Sequence, residues 1–188
     1  LINFLPDATF AIDTDGKVIA WNRAIEEMTG IPATTMLGKG EFEYAIPFYG
    51  ERRPVLIDLI FEPDDEVSWR YSNIQRDGNT LSAETDLPTP KGKRISVIAK
   101  ASPLYDKAGN VTGAIESIRD ITDRKKAEEA QRESEKRFRE LAELLPLGIY
   151  ESDVTGRLTY VNRRALDMFG YTAEAFSQGV DFQSAIAP

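Results

Sequence analysis

Glu116 is the residue with the most chemistry to offer. It sits in VTGAIESIR, a run of small and apolar residues from Val111 to Arg119. A carboxylate carried into a protein interior needs a partner, or it takes up a proton. Strand periodicity sends either Ala114, Glu116 and Ile118 or Ile115, Ser117 and Arg119 to the inner face. Arg119 strongly prefers water, which favours the first set. Arg52 and Arg53, just ahead of the apolar run PVLIDLIF, are the candidate partners. Glu116 paired with one of them beside a cavity could hold a small polar or charged metabolite. The same pair without a cavity would be an internal ion bridge.

Other chemistry is excluded by composition. The 188 residues contain no cysteine and no histidine. Disulfides, thiol redox chemistry and cysteine nucleophiles are therefore ruled out. So are histidine-ligated haem, Cys/His zinc sites and histidine general bases. No nucleophile–base pair, phosphate loop or metal cluster is visible, so this stretch is not expected to be an enzyme. Asp13-Thr14-Asp15-Gly16 imitates the opening of a calcium loop, but the later ligands are missing and a turn is expected. Glu62, Asp64, Asp65 and Glu66 read as a solvated acidic loop. The net charge of −8 argues against a nucleic-acid surface. No apolar run approaches the ~18 residues of a membrane span. The lack of cysteine fits a cytoplasmic location. The chain opens at Leu1 without Met and reads as part of something longer.

The elements that position these residues repeat. Shifted by 140 positions, the chain overlays itself without gaps. Leu5, Pro6, Asp13, Gly16, Asn22, Arg23, Met28 and Gly30 meet Leu145, Pro146, Asp153, Gly156, Asn162, Arg163, Met168 and Gly170. In the first copy, Ala8 to Ile12 and Val18 to Trp21 read as strands joined by a turn at Gly16. Asn22 stands where it can cap a helix from Arg23 to Thr29, which Gly30 closes. Ala33 to Leu37 is a further helical turn, and Phe42 to Tyr49 is irregular. Pro54 to Phe61 reads as a short helix with Pro54 in its first turn. Val67 to Leu87 holds one or two strands around Gly78. Lys93 to Leu104 is a strand with Ile95, Val97, Ala99 and Ala101 on one face. Tyr105 to Asn110 turns into the last strand, Val111 to Arg119. That strand runs into a charged helix with no Gly or Pro between them. The result is an α+β unit of roughly 115 residues.

This order of elements resembles the PAS domain, most of all the sensory modules of microbial histidine kinases. The resemblance is carried by the hairpin, the Asn22-started helix closed at Gly30, the Asp106-x-x-Gly109-Asn110 turn and Gly113-x-x-x-Ser117-x-Arg119-Asp120-Ile121-Thr122. It implies a PAS fold, an antiparallel sheet flanked by short helices, over residues 1–120. A helical linker over 121–144, a possible coiled coil, would follow. Residues 145–188 would be the truncated start of a second PAS domain. That second copy, without its later strands, is expected to be loosely packed or covered by a partner chain.

The resemblance also implies a pocket between sheet and helices, with Glu116 aimed into it. The lining candidates are Phe10, Ile12, Ile25, Met28, Phe42, Phe48, Leu56, Ile60, Val97 and Ala99. The alternative is an ordinary filled core. Haem through histidine and cysteinyl-flavin chemistry are excluded, while a small polar metabolite fits. At the junction, Asp120 and Thr122 would bracket the change from strand to helix. Asp120 lies four residues before Arg124, within reach for an ion pair. Exposed, that pair is worth only about 0.3–0.5 kcal/mol, so its use would be to set the exit angle of the helix.

Along the helix, Ala127, Gln131, Ser134, Phe138, Leu141 and Leu145 form a seam that is polar at its start and apolar at its end. Such a seam suits a parallel homodimer, weak near Ala127 and tighter near Phe138; a lone solvated helix is the alternative. Two functional readings follow. The first is a sensory PAS module that detects a small ligand or other cue. It would signal through its C-terminal helix to a downstream output such as a histidine kinase in the same chain. The second is a ligand-free PAS module for dimerisation and relay.

Overall fold

Asp13 builds the first turn. Its Oδ1 accepts the amides of Asp15 and Lys17, each at 2.9 Å, and Gly16 takes φ 74°. The carboxylate is thus spent on the turn, as expected from the sequence. The turn joins β1 (Ala8–Asp13) to β2 (Val18–Trp21). In this computed structural model, residues 2–61, 74–88, 90–172 and 174 are described. They fall into two units, Leu1–Lys125 and Lys126–Pro188.

In the first unit, α1 (Arg23–Thr29) starts where the Asn22 side chain accepts the Ile25 amide, and it ends at Gly30, φ 78°. The short helices α2 (Ala33–Met36) and α3 (Ile46–Tyr49) follow. The helix expected from Pro54 begins at Leu56 instead, as a tighter 3-10 turn, Leu56–Phe61. The reason is local: the Asp58 carboxylate reaches back to the Val55 amide at 2.8 Å, which starts the turn there. The strands β3 (Ile74–Asp77), β4 (Thr80–Leu87), β5 (Ile95–Tyr105) and β6 (Val111–Asp120) complete the unit. The acidic stretch 62–66 lies outside the described residues.

All six strands form one antiparallel sheet in the order β2-β1-β6-β5-β4-β3. Its inner face carries Phe10, Ile12, Val97, Ala99, Ala114 and Ile118, all buried. The short helices and the Leu56–Phe61 turn pack over this face. Burying each large apolar side chain contributes about 1.5–3 kcal/mol. Phe10 is the centre of an aromatic group, with Trp21 at 5.7 Å and Tyr44 at 5.4 Å between ring centroids. At Gly113 the β1 and β6 backbones come so close that a Cβ would lie 2.1 Å from the Ile12 carbonyl oxygen. Only glycine fits there.

The helix α4 (Thr122–Leu144) starts directly after β6 and runs for 23 residues. Of its seam, Phe138, Leu141 and Leu145 remain substantially exposed in the single chain. No helix among the described residues is long and apolar enough to cross a membrane.

The second unit contains α4 from Lys126 onward, then β7 (Tyr150–Ser152), β8 (Leu158–Val161) and α5 (Arg163–Phe169). Its hairpin turn repeats the first, with the Asp153 Oδ1 accepting the amides of Thr155 and Arg157. Tyr150 is 46% exposed, whereas its counterpart Phe10 is fully buried.

Candidate functional site

Glu116 faces inward, on the same side of β6 as Ala114 and Ile118. It pairs with Phe10 on one flank and Ala101 on the other. It is 4% exposed. Neither arginine reaches it, which corrects the expected ion pair. Arg52 turns outward to the carboxylates of Glu41 and Glu43, at 2.9 and 2.7 Å. The Arg53 guanidinium stacks on the Tyr49 ring, 4.6 Å from its centroid. Both stay in water, where a guanidinium keeps its hydration. The partner of Glu116 is instead a backbone amide: Ile57 N–H donates to Oε2 at 2.8 Å.

That bond ties the sheet to the Leu56–Phe61 turn. The same turn is held from its other side by Tyr44, whose hydroxyl donates to Asp58 Oδ1. Burial pushes the Glu116 carboxyl up to about 8; the Ile57 amide opposes the shift and the nearby Asp58 carboxylate adds to it. The Tyr44 hydroxyl is raised as well, by burial first and then by Asp58. Two carboxyl groups and a phenol thus converge on one turn, with Glu116 readily neutral at neutral pH.

Next to Glu116 lies a small cavity of about 10 Å³, room for roughly one water molecule. Phe10, Phe48, Val97 and Ala99 line it, together with Val55, Thr85 and Ile118. Ile25 and Leu56 are buried elsewhere in the core, and Met28 only packs against its edge. Ile12 and Ile60 are core residues too. Phe42 is 37% exposed, because its left-handed backbone, φ 59°, turns the chain away there. Asp58 and Tyr44 went unrecognised in the sequence. Asp58 could have been found as the single charge inside LIDLIF.

The junction sits four residues along the same strand. Asp120 Oδ1 accepts the Thr122 amide at 2.8 Å, closing the first free amide of α4. The Thr122 hydroxyl accepts the Ser96 amide at 3.0 Å, and the Ile121 amide donates to the Ser96 carbonyl at 2.8 Å. The expected Asp120–Arg124 pair is replaced. Arg124 and Lys125 both reach Glu84 of β4, at 3.2 and 3.4 Å, since Asp120 is occupied by the backbone. The start of α4 is therefore fastened to β5 and β4, not only to its own strand. Thr122→Val should free the Ser96 amide. A stability loss of about 1 kcal/mol and faster hydrogen exchange at Ser96 are expected, and amide-resolved exchange checks both.

These contacts sit on an α+β module whose family is identifiable. A family model described as a PAS domain matches residues 6–123, more than half of the chain. The chain belongs to the PAS family. A second PAS-domain model matches residues 136–187. That match begins within α4, in the helix expected as a linker over 121–144.

Among curated relatives, the chain is 27% identical over 121 residues to phytochrome B-2 of Glycine max, covering 62% of this chain and 9% of the relative. It is 30% identical over 128 residues to the uncharacterized protein y4lL of Sinorhizobium fredii, covering 67% and 15%. The chain thus spans only a small part of the relatives it matches. Among solved structures, the PAS domain of Bordetella pertussis BvgS is similar at 18% identity and a TM-score of 0.44, over 72% of this chain and 91% of that one. An RNA-binding light-oxygen-voltage receptor shows 18% identity and a TM-score of 0.48, over 71% and 35%.

Proposed function

We propose that the first PAS module senses a cue at the contact between Glu116 and the Leu56–Phe61 turn and passes it along β6 into α4. The observation that carries this is the placement of Glu116 and Asp120 on one unbroken strand, four residues apart. Glu116 in that strand binds the Leu56–Phe61 turn, and Asp120 at its end holds the first amide of a long helix. In this reading the output lies elsewhere in a longer protein, a histidine kinase being the expected kind, and this stretch has no catalytic role. The cue is a small polar ligand. Because the cavity is about 10 Å³, with Phe48, Tyr49 and Val55 lining it beside the strand residues, anything larger than water must displace its lining; Val55 is bonded to Asp58 of the turn, so binding and movement are linked.

The same tight interior favours a second reading, a ligand-free module for dimerisation and relay. In both readings two copies of α4 pair in parallel through Phe138, Leu141 and Leu145, whose exposure in the single chain suits a partner.

Native mass spectrometry of the whole chain, repeated after denaturation, separates the two. A dimer that releases a small mass on denaturation, with the mass absent from Glu116→Ala, is the result expected for sensing. A dimer that releases nothing supports relay alone. A monomer that releases nothing refutes both.

A further inference from the structure

One side chain in the second unit uses every hydrogen-bonding position it has. Asn162 is fully buried. Its Oδ1 accepts the amides of Ile149 and Ala165, at 2.8 and 2.9 Å. Its Nδ2 donates to the carbonyls of Ala142 and Leu147, at 2.7 and 2.8 Å. A carboxamide has two donor hydrogens and two acceptor lone pairs, so none is left over. Ala142 lies in the last turn of α4, where helix carbonyls lack a partner within the helix. It is also the buried residue of that helix. The next residue reinforces the contact. Glu143 Oε2 accepts the Arg163 amide at 3.0 Å, and the Tyr160 hydroxyl reaches Glu143 Oε1 at 3.2 Å.

The first module makes the same four bonds, and there the Asn22 Nδ2 also reaches the Leu5 carbonyl at 3.4 Å. Asn22 Oδ1 accepts the amides of Thr9 and Ile25, and its Nδ2 donates to the carbonyls of Asp7 and Ile2. Each partner is the counterpart, 140 positions earlier, of one of the four bonds of Asn162. A helix cap alone does not call for this. Asp, Ser or Thr would cap α5 as well, because a cap needs only an acceptor. Of the capping residues, only asparagine also donates twice.

We propose that Asn162 is the receiving contact of the second PAS module, the residue through which movement of α4 reaches β7 and α5. The proposal rests on the relay along α4 put forward above. The geometry makes Asn162 a positioning residue. If the Ala142 carbonyl moves, the side chain must either carry the Ile149 and Ala165 amides with it or give up a bond.

Asn162→Asp isolates the point. It keeps both acceptor bonds and the cap, loses both donor bonds, and sets a carboxylate against two carbonyl oxygens. Hydrogen exchange followed by mass spectrometry on the full chain reads the result. Asp120→Ala supplies the disturbance at the start of α4, and peptides covering 149–165 supply the readout. In the wild-type background, Asp120→Ala should change exchange there by about fivefold or more, the lower end of ordinary coupling between sites. In the Asn162→Asp background the change should fall below about twofold. Asn162→Ser keeps the cap but is too short to hold Ala142. It should behave the same way and replaces Asn162→Asp if the charge unfolds the second unit. An undiminished response in both backgrounds overturns the role of Asn162. No response even in the wild-type background refutes the relay itself.

Discussion

Glu116→Gln should flatten the pH dependence of stability across the neutral range. In the wild-type chain the folded carboxyl is held at about 8, above its value in an unfolded chain. Between about pH 4.5 and 8 the folded state therefore binds more protons than the unfolded state. The stability that Glu116 contributes is complete below the unfolded pKa and is lost as pH rises through the folded one. The loss is on the order of a few kcal/mol, or a fall in Tm on the order of 10 °C from pH 5 to 8.5. Glutamine keeps an oxygen for the Ile57 amide and carries no charge at any pH. Thermal melts of the two proteins across this range check the prediction. Parallel curves would mean that Glu116 is ionised in the folded protein, and the neutral-carboxyl reading would fail. Asp58 of the turn and Tyr44 bonded to it are the titratable groups nearby; both remain in the variant, which removes only the smaller upward push of Glu116 on Tyr44.

Asn22→Ala should be among the most damaging single changes in the first module. It uncaps α1, leaves the buried Thr9 amide without its acceptor, and frees the carbonyls of Asp7 and Ile2. A cap is worth about 1 kcal/mol, and an unmet buried amide adds about 1–3. A loss of roughly 3 kcal/mol in urea unfolding is expected. Asn22→Asp should lose less, because both acceptor bonds survive. Trp21 is buried in the core of the first unit, so the exposure of its indole follows that unit. Equal losses for the two variants would show that the donor bonds, not the cap, dominate.

Much of the architecture was legible because it is written in local code. The Asp13 turn, the Asn22 cap, the Gly30 stop and the inward parity of Glu116 each depend on residues a few positions apart. The fold class followed from their order together with the family resemblance. The long-range partners were not legible. Arg52 and Arg53 carry the right charge for Glu116, yet the exposed Glu41 and the half-buried Glu43 hold Arg52 at the surface. The bond to Ile57 could not be read from side-chain types at all, because its donor is a backbone amide. Arg124 was assigned to Asp120 by helical spacing. The register of β4 against β5 instead brings Glu84 into its reach, and register is a property of the folded sheet. The tie between α4 and the second hairpin was hidden for a related reason. Ala142 looks like any other helix residue until Asn162, twenty positions on, is seen to bind its carbonyl.

The sheet order has a consequence for how the chain is made. β1 is completed on its inner flank only by β6, with Ala8 opposite Ile118. Such distant pairing slows folding, because a long loop must close before any contact rewards it. The repeat adds a hazard, since β7 offers an edge similar to that of β1 and β6 could pair with the wrong hairpin. Synthesis from the N-terminus guards against this. Asp120, the end of β6, emerges before Tyr150, the start of β7, so the correct edge is available first and alone. A chain refolded from denaturant has no such head start. It should form strand-swapped species more readily than the same chain leaving the ribosome.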